Sequence, residues 1–104
     1  MKHEIFIYIT NPSREVARQM ASLLLENQLI ACANLHEIES LYRWEGKLEQ
    51  ENEVVLIAKT KTEYFSQIEA LIKENHPYDV PCITQVPVKF NLPYGEWVES
   101  QLKK

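Results

Sequence analysis

Two long extended segments joined by one tight turn are the strongest constraint on how this chain can fold. Ile30 to Trp44 and Leu48 to Thr60 both read as strand, with Glu45-Gly46-Lys47 as the turn between them. Cys32, Asn34, Ile38, Ser40, Tyr42 and Trp44 share one phase of the first strand, and Ala33, Leu35 and Leu41 the other. The polarity pattern stumbles at His36 and Glu37, which predicts a bulge or bend there. Strands of about 13 residues reach roughly 40 Å at ~3.3 Å per residue. A compact domain of this length has a radius of gyration of only ~13 Å. The hairpin is too long for its own body, and its outer part is expected to reach a neighbouring subunit.

The flanking segments supply the rest of the pattern. Ile5, Ile7 and Ile9 alternate with Phe6, Tyr8 and Thr10, a strand apolar on both faces. Asn11-Pro12 predicts a helix start, with Asn11 as cap and Pro12 at the first helical position. Ala17, Met20, Ala21 and Leu24 form the helix's apolar stripe, broadened by Val16, Leu23 and Leu25, and fading near Gln28. Thr62 is expected to cap a second helix with Phe65, Ile68, Leu71 and Ile72 on its buried side. Pro77 forces that helix to stop at His76, and Pro81 stiffens the corner His76-Pro77-Tyr78-Asp79-Val80-Pro81. Ile83 to Phe90 reads as a strand that Pro87 places at an edge or a bulge. Leu92-Pro93-Tyr94 opens a short last helix with Trp97, Val98 and Leu102. The order β-α-β-β-α-β plus a C-terminal helix predicts an α+β, ferredoxin-like sandwich over residues 1–104 as one domain, with two helices on one face of a four-stranded antiparallel sheet. The second face would then be bare, although its strands are apolar there, and this too predicts an oligomer.

Composition removes several function classes. Net charge is −4 and the eleven basic residues are dispersed, so no basic face offers itself to nucleic acid. No apolar run approaches the ~20 residues that span a bilayer. Met1-Lys2 leads straight into strand without an apolar leader, which makes the cytoplasm the expected location. Cys32 and Cys82 lie far apart, fit no zinc spacing and are expected to be thiols. With only two glycines the chain has no phosphate-cradling loop, and its arginines Arg14, Arg18 and Arg43 sit beside none. No Ser/His/Asp order suggests a nucleophile, so an enzyme is not expected.

Taken in order, several pieces resemble the CutA family, the divalent-cation tolerance proteins. Thr10-Asn11-Pro12 is similar to the family's first strand-to-helix junction, and Leu29-Ile30-Ala31-Cys32-Ala33-Asn34-Leu35 to its cysteine-bearing second strand. Ser40-Leu41-Tyr42-Arg43-Trp44-Glu45-Gly46-Lys47 resembles its hairpin signature, followed by Glu53 and Lys59-Thr60. The His76–Pro81 corner and Tyr94 with Trp97 complete the set. The resemblance implies a ferredoxin-like protomer in a homotrimer, binding of divalent metals, notably copper, and a role in metal tolerance. Where the family usually places a glutamate after the corner's second proline, this chain has Cys82, and a thiolate favours softer ions such as Cu(I).

Each candidate residue has a plainer reading. Cys32, His76 and Cys82 are the candidate metal ligands. Cys32 is equally a small buried hydrophobe on a central strand, and His76 equally a helix-end residue bonding the last carbonyls. His3 and His36 read as surface residues. Tyr42, Trp44, Tyr78 and Trp97 either line a cleft between subunits or pack there. Glu53 and Lys59 are expected to join Tyr78 in that cleft, or Lys59 to pair with a carboxylate. Glu49, Glu51 and Glu53 alternate along the hairpin as a solvated face, or as a weak cation site if a trimer gathers them. The alternative function is a trimeric signalling or small-molecule-binding module in which metal binding is incidental.

Overall fold

Strand pairing dominates the computed structural model, which describes residues 3–104. In chain order the elements are β1 (Glu4–Asn11), α1 (Arg14–Glu26), β2 (Cys32–Trp44), β3 (Lys47–Lys61), α2 (Phe65–Asn75), β4 (Ile83–Pro87) and α3 (Leu92–Gln101), with one 3-10 turn (Thr62–Tyr64) leading into α2. The sheet runs β2-β3-β1-β4 with every neighbouring pair antiparallel. This is the ferredoxin-like arrangement. Ile5, Ile7, Ile9, Leu56 and Ala58 face Met20, Ala21 and Leu24 of α1 and Ile68 and Ile72 of α2, and together form the core.

The hairpin is long and regular. Cys32 lies opposite Lys59 and Trp44 opposite Lys47, and no residue slips between them. The expected bulge at His36 and Glu37 is therefore absent. The change of polarity there marks where the sheet runs out from under the helices: Glu37 sits on the helix side but reaches Arg14 at 3.2 Å in an exposed ion pair. β1 stops pairing at Asn11 opposite Val54, so Ile38–Trp44 and Lys47–Glu53 continue as a two-stranded arm. That arm extends roughly 23 Å at ~3.3 Å per residue. It stretches the molecule to 45 × 25 × 24 Å. Glu45 and Gly46 turn the arm at φ 50° and 80°, the positive values a two-residue hairpin turn requires. Gly46→Ala should cost about 1 kcal/mol from its left-handed backbone alone, since no atom lies within 4 Å of the added Cβ. Denaturant midpoints at fixed protein concentration would measure it.

Two helix starts differ from the expectation. Ser13, not Asn11, caps α1, its Oγ accepting from the Val16 N–H at 3.2 Å. Asn11 is in phase with Ile5, Ile7 and Ile9, so its side chain points into the core and is not available as a cap. Thr62 does not cap α2 either. β3 runs on to Lys61, and Thr62 ties that strand end to the His3 carbonyl through both its N–H and its Oγ1.

The second face of the sheet is partly covered. Beyond Pro87 the chain leaves β4, so the strand ends short of Phe90, and it crosses that face as α3. Phe90 packs on Phe6 at 6.1 Å and on Tyr94 at 5.4 Å, the Lys59 ammonium lies 5.4 Å from the Tyr94 ring centroid, and Lys61 pairs with Glu99 at 3.2 Å. Gly95 permits this approach: a Cβ there would stand 2.5 Å from the Glu4 carboxylate, which accepts the Phe90 N–H. Val98 and Leu102 are buried as α3 closes the end of the sandwich. The face that the sequence left bare is thus covered in part by α3, while Val86 on β4 and the arm stay exposed.

Candidate functional site

The corner after α2 is built around His76. Its backbone N–H closes the last helical turn onto the Ile72 carbonyl at 2.8 Å, and its φ and ψ of −85° and 141° are the extended values that a following proline demands. The side chain turns inward. Nδ1 accepts the Tyr78 N–H at 3.2 Å, which leaves the ring proton on Nε2. Nε2–H faces the Thr10 carbonyl at 3.0 Å and Asn11 Oδ1 at 3.1 Å. Asn11 is fully buried and donates to the Ile9 and Val54 carbonyls at 3.1 and 3.0 Å, so one amide joins β1, β3 and the corner. Burial lowers the His76 pKa, with the Thr10 hydrogen bond and Glu53 opposing. The imidazole is a neutral structural group.

Tyr78 carries the network to the arm. Its ring meets His76 edge-on at 4.7 Å, and its hydroxyl donates to Glu53 Oε2 at 2.6 Å. Burial and then this carboxylate raise the phenol well above its ordinary pKa. Glu53 itself is only 8% exposed. Among the described residues no lysine, arginine or histidine forms an ion pair with it.

Corner and arm enclose a groove of about 520 Å³. The arm contributes Tyr42, Trp44, Glu49, Glu51 and Glu53; the corner contributes Tyr78, Asp79, Val80 and Cys82. Four carboxylates and three aromatic rings line it, with no lysine, arginine or histidine among the lining residues. Such a surface attracts cations.

The candidates from sequence divide into separate places. Tyr42, Trp44, Glu53 and Tyr78 share the groove. Lys59 and Trp97 do not: both lie beside Tyr94 at the opposite end of the sheet. Glu53 and Lys59 are six residues apart on one strand, roughly 20 Å at ~3.4 Å per residue. Cys32 is half-buried and opposite Lys59. Cys82 is exposed beside Thr84, one residue before the Ile83–Ile9 pair. Four residues of register and three strand spacings put the two cysteines roughly 20 Å apart. With His76 bonded through both nitrogens, the three candidate ligands do not meet within the chain. More generally, no three His, Cys, Asp or Glu side chains among the described residues are grouped to hold a metal ion. Cys32, His76 and Cys82 therefore form no three-ligand copper site within the single chain. Sequence reading missed Asn11 as the hub, although its spacing from Ile5, Ile7 and Ile9 was the signal, and it missed Asp79 and Val80 as groove residues.

A ferredoxin-like fold with a projecting β-arm and an acidic, aromatic groove at the arm's root defines the structural class. Residues 5–101 match the family model of the CutA1 divalent ion tolerance protein. The divalent-cation tolerance protein CutA of Thermococcus kodakarensis is 46% identical over 99 residues, covering 94% of this chain and 95% of that protein. The crystal structure of CutA1 from Pyrococcus horikoshii superposes with a TM-score of 0.92 at 42% identity, over 96% of this chain and 99% of that one. CutA1 from Oryza sativa gives 0.93 at 36% identity, over 98% and 95%. The chain belongs to the CutA1 divalent ion tolerance family. No helix among the described residues is long and apolar enough to cross a membrane.

Proposed function

We propose that this protein acts in the cytoplasm as a homotrimer that binds divalent cations, copper among them, in a metal-tolerance role without catalysing a reaction. The observation that carries this reading is the buried Glu53 carboxylate, which lines a groove with Glu49, Glu51 and Asp79 and has no cationic partner among the described residues. Tyr78 holds one oxygen of that carboxylate at 2.6 Å, and the clustered negative charge of the groove favours a bound cation. Divalent ions would sit there singly, held by one or two carboxylates and water, which makes for weak sites. Cys82 on the groove wall adds a soft donor suited to copper. His76 bonds inside the fold through both nitrogens, which supports a binding role over acid–base chemistry.

The arm supports assembly. Leu41 and Leu48 are exposed on one of its faces, Tyr42 and Trp44 on the other. An isolated two-stranded ribbon is marginal in water. Covering several hundred Å² of it contributes on the order of 10 kcal/mol before association costs. The trimer is expected at three times the 12.2 kDa protomer mass in light scattering. Calorimetric titration should show copper binding that weakens about tenfold in Cys82→Ser and in Glu53→Gln but not in Cys32→Ser. A monomeric mass would overturn the assembly, and unchanged copper binding in the Cys82→Ser, Glu53→Gln pair would remove the groove as its site.

A further inference from the structure

The sequence opens Met1-Lys2-His3, which places an imidazole in the third position behind an α-amine. Residues so ordered carry four nitrogens along one covalent path: the amine, the amide nitrogens of Lys2 and His3, and Nδ1 of the His3 ring. Closed on a single metal ion, they make two five-membered chelate rings and one six-membered ring. Neither Lys2 nor His3 is a proline, so both amides have a proton to give up. A square plane of nitrogen donors suits Cu²⁺ and Ni²⁺, and Cu²⁺ stands highest in the Irving–Williams order. An imidazole one place earlier or later would break the series of rings.

The fold leaves this segment to a metal. Met1 and Lys2 precede the described residues, and covalent connectivity alone sets the chelate. Of His3 the fold holds the carbonyl, which accepts the Thr62 N–H at 2.8 Å and the Thr62 hydroxyl at 3.0 Å. That oxygen is not a donor in such a site. The His3 side chain is exposed, and no hydrogen bond engages its ring among the described residues. Strand pairing begins one residue later, with Glu4 opposite Lys61. The site needs one side chain only, so it asks for no cluster of His, Cys, Asp or Glu. It also lies far from the groove: His3 and the groove residue Thr10 are seven positions apart along β1, roughly 24 Å at ~3.4 Å per residue.

We infer that Met1-Lys2-His3 is an independent Cu²⁺ site of four nitrogens in a square plane. Binding expels a proton from each amide, and from the amine where it is charged. The groove, by contrast, offers carboxylate oxygens and the Cys82 thiol, so the two sites differ in donor atoms. The chemistry requires a free amine on Met1. Lys2 favours its retention, since initiator methionine is trimmed ahead of small residues.

The test is titration of the full chain, in its native assembly and with nothing ahead of Met1, with Cu²⁺ and separately with Ni²⁺. Visible absorption and electron paramagnetic resonance read the donor set. One Cu²⁺ per chain is expected to show the square-planar four-nitrogen signature. His3→Ala should weaken that species about a hundredfold. One residue added ahead of Met1 should do the same, because it moves the ring to the fourth position and leaves the fold untouched. His36→Ala removes an exposed imidazole from β2, outside the segment, and should change nothing. An unchanged signature in His3→Ala, or equal weakening by His36→Ala, would overturn the inference. Copper held by oxygen and sulfur donors alone would also overturn it, while leaving the groove standing as the copper site. Four-nitrogen copper with no binding at the groove would bear it out and remove the groove reading instead. The intact mass of the protein from its native cells should show an unmodified Met1, and an acetylated, trimmed or extended terminus would sink the assignment.

Discussion

Asn11→Ala should destabilise the protein by about 3 kcal/mol. The amide is fully buried and holds the Ile9 and Val54 carbonyls and the His76 Nε2–H together. Alanine leaves two carbonyls without these donors and removes one of the two acceptors facing the imidazole, at ~1–3 kcal/mol for each unsatisfied buried group. The loss should appear as a lower urea midpoint at fixed protein concentration, because the proposed assembly would couple stability to mass action. The groove should loosen at the same time, because the corner is tied to β1 through this residue. A variant within 0.5 kcal/mol of the parent, on the order of an ordinary surface substitution, would remove Asn11 as the hub.

His76→Gln should cost about 2 kcal/mol at pH 8, and the difference from the parent should shrink as the solution is acidified. Burial holds the folded-state pKa of His76 below its ordinary value of about 6.5. A depressed pKa means that the unfolded chain binds the proton first. The stabilisation is therefore complete above about pH 6.5 and is lost as pH falls from there through the folded value. The structural cause is specific: a protonated Nδ1–H would point at the Tyr78 N–H that it now accepts. Glu53 is the charged group facing the imidazole, and Tyr78 is the other titratable group in contact with it. Chemical denaturation of both proteins between pH 8 and pH 5 reads the effect, and a constant difference over that range would overturn it.

Much of the fold was legible because it rests on local periodicity. The alternation of Ile5, Ile7 and Ile9, the stripe of Ala17, Met20, Ala21 and Leu24, and the stop at His76-Pro77 all report steric and solvent constraints that act within a few residues. The projecting arm followed from strand length alone. The helix caps were less legible, because Asn11 and Ser13 are both good caps and only burial of Asn11 assigns the role to Ser13. The apparent bulge at His36 and Glu37 reflected the edge of the helix layer, a tertiary boundary written in polarity.

The site divides in the same way. The sequence alone determined which chemistry the chain carries: an acidic ladder at 49, 51 and 53, aromatic rings at 42 and 44, a stiff proline-bounded corner, and two cysteines far apart in the chain. The long hairpin, too, was determined by the sequence, because strand length and turn residues are local properties. Only the tertiary structure decided which of these groups meet. Register across the sheet sent Cys32 and Lys59 to one end and Cys82 and Glu53 to the other, and α3 closed the first end with Tyr94 and Trp97. Burial then made His76 a strut and set Glu53 against the Tyr78 hydroxyl at the root of the arm. Such pairings join residues tens of positions apart, and their energies depend on solvent exclusion that exists only once the sheet and helices have packed.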